Sequence, residues 1–454
     1  MRRALPLHVS VLLAGLVIGA VLVGPGLGGF FILDDFAWLD CAADALGHPA
    51  HLFTLHISNF FRPVAHGVWT LAHWLFGLEP GPYHLLVLGL HAIAAVLFAH
   101  LIWRLSADRF LAFACAVCFL LSPAYSEAVI WISGVTEPIA AIGILATLIA
   151  FHRFLTRREG LFYGLALLVF VLAHGTKESV VVLLPLLAML HLGLWLRQPG
   201  TARGSFWIYL PFALLGIAYL LLQYRIQQQS YLVIERQYTV GFHALGGIAR
   251  SLAHLLRLGW PPLVAAILGW LLQHRALPRL TRKRLAWAAL LLAAVVVPMI
   301  PYAMFRGDAL ASRYYYLPSL GLALASGLAL RTLFRQRSRS LQVLGILSLA
   351  GLALHASWSY GGAVERYLRA ARRTEQFVHA LRHPPSHAGD APVLLLDPLL
   401  HGQHLAGMVR LFLPDGSPRI REVTREELRG RPPGTVWRYG GGVLEPVDVR
   451  SDHP

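Results

Sequence analysis

The chain has 454 residues, of which 56% are hydrophobic and only 14% are charged, and its mean hydropathy is +0.58. This composition excludes an ordinary water-soluble protein and indicates a polytopic membrane protein. The formal net charge of +16 could suggest a nucleic-acid partner, but the basic residues fall in short clusters between apolar runs. Such clusters are typical of the cytoplasmic loops of membrane proteins, so we expect no nucleic-acid partner.

The apolar segments predict about eleven membrane crossings, with the N-terminus in the cytoplasm and the C-terminus outside. The first crossing follows Met1-Arg2-Arg3 and runs from about Leu7 to Gly29. It has the shape of a signal peptide, but it is long enough to span and no clear cleavage site follows, so we expect an uncleaved helix. The later crossings are predicted at about 83–105, 110–121, from 138, from 161, up to 197, 206–224, 242–272, 285–305, up to 331 and up to 360.

One of these segments, 242–272, is ambiguous because it contains Arg250, His254, Arg257 and a Pro261-Pro262 pair. It is either a single crossing or an interfacial helix followed by a crossing. We count it as one crossing.

Two regions are too polar to span. Residues 30–82 are predicted to form a large first outer loop with short helices along the interface. The tail is predicted to contain an amphipathic helix at 365–381 and strands at about 393–396, 408–413 and 436–439, with turns at 414–416 and 440–442. We therefore expect an all-α transmembrane domain, 1–360, and a small α+β extracytoplasmic domain, 361–454, in the inner (plasma) membrane.

The cysteine and histidine spacings predict packing rather than metal or redox chemistry. Cys115 and Cys118 lie in an apolar helix, where a CxxC pair is most simply explained by burial. His84 and His91 share one face of a helix, and histidines that are hydrogen-bonded inside a bundle are commoner there than metal ligands.

Two adjacent carboxylates, Asp34 and Asp35, directly follow the first apolar segment. The simple interpretation is a solvated cap for a following interfacial helix. The alternative is a general base that faces a substrate in the membrane, because an Asp beside a second acid and partly removed from water can have its pKa raised.

Further charged residues on predicted outer loops could join the same site. Glu127 and Glu137 flank Trp131, although both are also explained as ordinary loop acids. The cations Arg62, Lys177 and Arg313 suit a phosphate but equally a plain ion pair. Tyr315 belongs to a run of three tyrosines, which by default is an aromatic belt at the membrane interface.

Six motifs occur in an order that resembles the glycosyltransferase C superfamily. The motifs are Asp34-Asp35, Phe61-Arg62-Pro63, Tyr83-His84-Leu85 with His91, Ser122-Pro123 followed by Glu127-Ala128-Val129-Ile130-Trp131-Ile132-Ser133-Gly134, Lys177-Glu178 with Leu184-Pro185, and Arg313-Tyr314-Tyr315-Tyr316-Leu317-Pro318-Ser319. The resemblance covers about residues 30–330. It is greatest to the membrane part of the transmembrane and tetratricopeptide-repeat O-mannosyltransferases and their bacterial relatives.

The resemblance implies an inverting transfer of a sugar from a polyprenyl-phosphate carrier to a lipid, glycan or protein acceptor on the outer face. By analogy, Asp34 or Asp35 would be the base, with Glu127 as a further catalytic acid. Substrate-binding roles would fall to Arg62, Glu137, Lys177, Arg313 and Tyr315. The sequence identifies no certain cofactor: two acids on separate loops could bind a divalent cation, and a base with an orienting acid fits equally well.

The sequence also departs from that family. The tail is too short for tetratricopeptide repeats and has no 34-residue period, and Glu137 stands where relatives often carry Asp. A transporter or flippase of a lipid-linked sugar is the alternative function, although we find no internal repeat of the kind such proteins use. An inactive relative whose tail binds an envelope partner is a third.

Overall fold

The computed structural model describes residues 5–54, 59–197, 206–228, 230–234, 236–239, 241–273, 281–306, 310–383, 393–413, 420–424, 427, 436–440 and 442–447. Helices make up most of these residues. The helices are α1 Leu5–Val23, α2 Asp34–Gly47, α3 His51–Thr54, α4 Pro63–Phe76, α5 Pro80–Ser106, α6 Arg109–Leu120, α7 Ser126–Ile130, α8 Thr136–Arg157, α9 Gly160–His174, α10 Leu183–Arg197, α11 Leu210–Gln227, α12 Tyr231–Ile234, α13 His243–Gln273, α14 Arg282–Val296, α15 Ile300–Ala303, α16 Tyr316–Phe334, α17 Arg339–Arg382 and α18 Gly402–Phe412. The strands are β1 Val393–Leu396, β2 Ile420–Val423, β3 Val436–Gly440 and β4 Val443–Pro446.

In the described part of the chain, nine helical stretches are long and apolar enough to cross a membrane. They are Pro6–Gly26, Pro80–Ser106, Ile132–Arg157, Glu178–Arg197, Phe206–Gln227, His243–Gly269, Arg282–Ala303, Ser312–Phe334 and Arg339–Arg382. A tenth is the pair Arg109–Leu120 and Pro123–Ile130, which is bent by 42°, and α9 is a shorter apolar helix. These stretches coincide in order with the predicted crossings, so the expectation of an all-α polytopic membrane protein with a small strand-containing tail is confirmed.

The ambiguous segment 242–272 forms one continuous helix, α13, with Pro261 and Pro262 inside it. The prediction for the last crossing is wrong. Instead of ending near Tyr360, α17 is one helix of 44 residues that ends at Arg382 and includes the amphipathic helix that was expected as a separate element.

The chain divides into two compact units. The first unit comprises Met1–Pro25, Ser58–Ala65 and His84–Val364, and the second comprises Gly26–Ile57, His66–Tyr83 and Glu365–Pro454. In the first unit, small residues let helices approach closely, as membrane helices require. A Cβ on Gly321 would lie 2.6 Å from the Ala294 carbonyl oxygen of α14, and one on Gly327 would clash with the Cys115 sulfur of α6.

The packing roles predicted for the cysteines agree with the first unit's interior. Cys115 and Cys118 are buried, and neither forms a disulfide. His91 is buried as well, with its Nδ1 2.7 Å from the hydroxyl of Tyr316, which satisfies the ring inside the bundle.

The second unit contains a four-stranded sheet of order β2-β1-β3-β4, in which only β3 and β4 are antiparallel. Strands β1 and β3 were predicted, whereas β2 and β4 were not. The strand expected at 408–413 is wrong, because this stretch belongs to α18. Leu405, Met408 and Phe412 are buried at helical spacing, and that period outweighs the run of β-prone residues. The turn predicted at 414–416 lies outside the described residues.

Candidate functional site

Asp34 and Asp35 begin α2 in the second unit but have different surroundings. Asp35 is fully buried, and its Oδ2 accepts a hydrogen bond of 2.9 Å from the backbone N–H of Ile32. The side chain of Asp34 is 39% exposed, and its Oδ1 lies 3.3 Å from Nε2 of His404. Asp35 therefore stabilises the turn into the helix, while Asp34 remains accessible to another molecule.

The backbone just before these acids adopts a conformation that is rare for a side-chain-bearing residue. Leu33 has φ 47° and ψ −118°, a combination usually taken by glycine at the first central position of a type II′ turn. Such strain persists only where the surrounding structure enforces it. Here the reciprocal backbone and side-chain bonds between Ile32 and Asp35 hold the turn.

Aromatic rings surround this turn within the second unit. Phe412 of α18 lies 5.5 Å from Phe30, 6.0 Å from Phe31 and 5.5 Å from Phe36, mostly edge to face. Helix α18 approaches α2 closely because residue 407 is glycine, where a Cβ would lie 2.6 Å from the Phe36 carbonyl oxygen. The apolar packing keeps water from the N-terminal turn of α2 but leaves Asp34 accessible.

Two further acids of α2 are engaged by cations or histidines. Asp40 Oδ2 lies 3.0 Å from Nη2 of Arg410, and burial raises the pKa of Asp40 although Arg410 opposes the shift. Asp44 forms a short hydrogen bond with Nδ1 of His51, which lowers the pKa of Asp44.

Among the described residues, one group has side chains spaced to share a metal ion, and it consists of Asp44, His48 and His51. One ligand atom from each lies within 4.8 Å of the others. An Asp and two histidines are a donor set that suits Zn²⁺ and similar ions. This group differs from the pair of loop acids considered from the sequence.

The first unit contains the other predicted site residues, and it ties each predicted cation to an acid. Lys177 and Glu137 form the most buried pair, with side-chain exposures of 3% and 0%. Burial lowers the pKa of Lys177, although Glu137 and Glu178 pull in the opposite direction. Glu137 Oε2 has no hydrogen-bond partner in the part of the chain that the structure describes.

Arg62 binds the neighbouring acid Glu178 through two nitrogens. Its Nη2 and Nε donate to Glu178 Oε2 at 2.7 Å and 3.0 Å. Burial lowers the pKa of Arg62, but the charge of Glu178 more than compensates, so the net direction is upward. Backbone bonding also holds this segment, since the Val64 N–H donates to the Gly175 carbonyl oxygen at 2.8 Å.

Arg313 pairs with Glu127, the acid of the α7 turn. The Glu127 N–H donates to the Ser312 hydroxyl at 3.1 Å, so the two loops are joined twice. The backbone of Gly134 lies close to that of Glu127, since a Cβ on Gly134 would lie 2.8 Å from the Glu127 carbonyl oxygen. Glycine is required there for the close backbone approach.

Aromatic rings link these ion pairs. Lys177 Nζ and Arg313 Cζ lie 5.2 Å and 4.9 Å from the ring centroid of Tyr314. Tyr314 in turn stacks on Tyr302, with centroids 4.4 Å apart. Cations over tyrosine faces gain about 0.5–2 kcal/mol each when partly desolvated. Tyr314 therefore joins the Lys177 and Arg313 pairs, and the charges of Glu178 and Arg62 also act on Lys177. We call this set the cation cluster: Arg62, Lys177 and Arg313 with Glu178, Glu137 and Glu127.

A cavity of about 390 Å³ lies beside the cation cluster in the first unit. Its lining includes Tyr302, Tyr315 and three residues of α13, Arg250, His254 and Arg257. Tyr315, predicted to bind substrate, is buried and stacks on His254 with centroids 4.7 Å apart. The sequence indicated the α13 residues only as polar interruptions of a crossing. Their i, i+4, i+7 spacing was the signal that they share a face.

The structure thus groups six predicted site residues in the first unit and two in the second. The first-unit residues are Arg62, Glu127, Glu137, Lys177, Arg313 and Tyr315. Sequence reasoning missed the contacts that His404 and Arg410 of α18 make with acids of α2, because nothing in the tail indicated which element it would pack on.

No protein-family model and no curated protein matches this sequence. The fold is similar to that of two crystal structures of ArnT from Cupriavidus metallidurans. The structure bound to undecaprenyl phosphate matches with a TM-score of 0.56 and 13% identity over 89% of this chain and 85% of that chain. The apo structure matches with a TM-score of 0.51 and 12% identity over 89% and 84%. At this identity the likeness concerns the fold alone: the chain has a fold similar to that of the two ArnT structures.

Proposed function

We propose that the chain is an integral membrane glycosyltransferase that moves a sugar from a polyprenyl-phosphate carrier to a lipid, glycan or protein acceptor on the outer face of the inner membrane. The observation that carries the proposal is the fold shared with ArnT, one of whose structures holds undecaprenyl phosphate. An N-terminus in the cytoplasm and a C-terminal region outside complete the proposal, in accord with the basic clusters of the sequence.

The proposal gives Asp34 the role of general base. A base must reach its substrate, and Asp34 is the accessible member of the acidic pair. Its carboxylate takes the proton of the acceptor hydroxyl as that oxygen attacks the anomeric carbon. The bond from this carbon to the phosphate oxygen breaks on the opposite side, so the configuration inverts and the lipid phosphate leaves with the electron pair.

Asp35 has a positioning role in this proposal, because its carboxylate is occupied by the Ile32 N–H. Glu127 and Glu137 hold Arg313 and Lys177 in place, and Arg62 is held by Glu178.

Complementation of a strain that lacks the gene tests the proposal. Mass spectrometry of the envelope glycans and lipids should show a sugar missing in that strain and restored by the wild-type chain. Asp34→Asn should fail to restore it, with a loss of transfer of about 10²–10⁴-fold as expected for a general base. Asp40→Asn is the matched control on the same helix, outside the group that could share a metal ion, and should restore the sugar.

Variant levels in the membrane and melting temperatures separate lost chemistry from lost folding. Full restoration by Asp34→Asn alone would overturn the assignment of Asp34 as the base. An unchanged envelope in the deletion strain, together with exchange of lipid-linked sugar across proteoliposomes without an acceptor, would replace the transferase with a transporter.

A further inference from the structure

Helix α13 carries two arginines in a stretch that is long and apolar enough to span a membrane. An arginine at the centre of a membrane helix costs about 2.5–3.5 kcal/mol on insertion scales, so such residues face water or protein and mark functional sites. Arg250 and Arg257 are two turns apart on one face of α13, with His254 between them. Both arginines line the cavity beside the cation cluster.

These arginines differ from the cations predicted to bind a phosphate. Arg62, Lys177 and Arg313 are each tied to a glutamate. Arg250 and Arg257 are exposed, and neither forms a salt bridge with any residue that the structure describes. Guanidinium groups without a carboxylate partner retain their donors for an incoming anion.

The other walls of the cavity fit an anion attached to a lipid. Tyr302 and Tyr315 present aromatic rings, and the stack of Tyr315 on His254 fixes the orientation of the imidazole. The cavity volume of about 390 Å³ lies in the range of small-molecule sites. It is larger than a phosphate group alone would fill. A lining that combines arginine donors with aromatic rings suits a phosphate that continues into a less polar group.

We propose that Arg250, His254 and Arg257 bind the phosphate monoester of a lipid in this cavity. The proposal rests on the function proposed above and deepens it: the carrier phosphate is bound by α13, whereas the cation cluster is an internally neutralised scaffold beside it. Guanidinium groups bind phosphate bidentately, so two arginines can hold three phosphate oxygens without help from the glutamate-bound cations.

The experiment measures binding of undecaprenyl phosphate to the full-length chain in phosphatidylcholine nanodiscs. We expect each of Arg250→Gln and Arg257→Gln to weaken binding about tenfold or more, and the double variant more strongly, because hydrogen bonds to charged groups contribute about 1.5–3 kcal/mol. Arg225→Gln is the matched control, since Arg225 is an exposed arginine on α11 outside the cavity lining. Its affinity should equal that of the wild type.

Two other lipids show which part of the lipid the site recognises. Undecaprenol, which lacks the phosphate, should bind weakly to every variant. Phosphatidic acid supplies the same phosphate monoester on a different lipid. If its binding also depends on the two arginines, the phosphate is the determinant, and if it does not bind, the polyprenyl chain is recognised as well. Either result supports the site.

Unchanged affinity for undecaprenyl phosphate in a folded double variant, with a wild-type melting temperature, would overturn the proposal. An equal loss in Arg225→Gln would overturn it too, since the effect would then be general electrostatics. The single variants decide the matter if the double variant does not fold.

Failure of this site is distinguishable from failure of the transferase. Arginine-dependent binding without sugar transfer would remove the transferase and leave the phosphate site. Transfer with wild-type KM and kcat in the double variant would remove the site and leave the transferase.

Discussion

The acids of the two units have different environments. In the first unit, Glu127, Glu137 and Glu178 each neutralise a cation. In the second unit, Asp34 contacts a histidine and keeps 39% of its side chain exposed. The three glutamates of the first unit therefore fix cations, whereas Asp34 of the second unit keeps a carboxylate oxygen accessible.

Exposure decides what each carboxylate contributes. A buried ion pair is weak evidence of net stability, yet removing one partner is costly because the other charge is left unpaired. A half-exposed pair is screened and contributes little. The largest stability effects should therefore come from the first unit and the largest chemical effect from Asp34.

Lys177→Met should have the largest effect on stability. It leaves the fully buried Glu137 without its cation, a cost of about 3–5 kcal/mol. We expect a large fall in the melting temperature, measured by fluorescence-detected size exclusion in detergent. Arg313→Gln at the partly exposed pair should cost at most about 1 kcal/mol.

The double variant Lys177→Met/Glu137→Leu separates charge from shape. Replacing both members of a buried pair with apolar groups is often neutral, so most of the lost stability should return. A melting temperature for Lys177→Met equal to the wild type would show that Glu137 is not held by this pair.

The acidic pair gives the next largest effect. Asp35→Ala removes the acceptor of the buried Ile32 N–H and should destabilise the chain by about 1–3 kcal/mol. Asp34→Ala removes no buried bond, so its melting temperature should stay close to the wild type while transfer is lost. Comparable melting of the two variants would mean that the two acids do not have the separate roles given to them here.

Much of the architecture could be predicted from hydrophobicity. Long apolar runs broken by basic clusters were enough to place the spanning helices, because a run of about 20 apolar residues satisfies its own backbone hydrogen bonds in lipid as a helix. The end of α17 was not predictable, since its apolar period passes without a break into the amphipathic stretch 365–381. Strand β2 was missed because Ile420–Val423 carries two charged residues in a short segment.

The residues of the candidate site could be predicted from the sequence, but the ion pairs that they form could not. The sequence identified Glu127, Glu137 and three cations, yet it gave no reason why Lys177 should pair with Glu137 rather than with its neighbour Glu178. That choice depends on how α8 and the 177–178 turn pack. The strained conformation of Leu33 was also invisible, because its side chain has no turn preference.

The smallest expected effect is a difference in the pH dependence of stability between Asp40 and Asp44, which lie on the same helix. Burial raises the pKa of Asp40 above its ordinary 3.8, so the native state binds this proton more tightly than the unfolded chain does. The contribution of Asp40 to the free energy of unfolding therefore falls as pH rises from 3.8 through the raised pKa. The hydrogen bond from His51 lowers the pKa of Asp44, so its contribution is present above 3.8 and lost as pH falls through the lowered value. In the acid range around pH 3.8, the melting temperature of Asp40→Asn relative to wild type should rise as pH increases above 3.8, and that of Asp44→Asn should fall as pH increases towards 3.8. Parallel slopes for the two variants in that range would show that the two carboxyls share one environment.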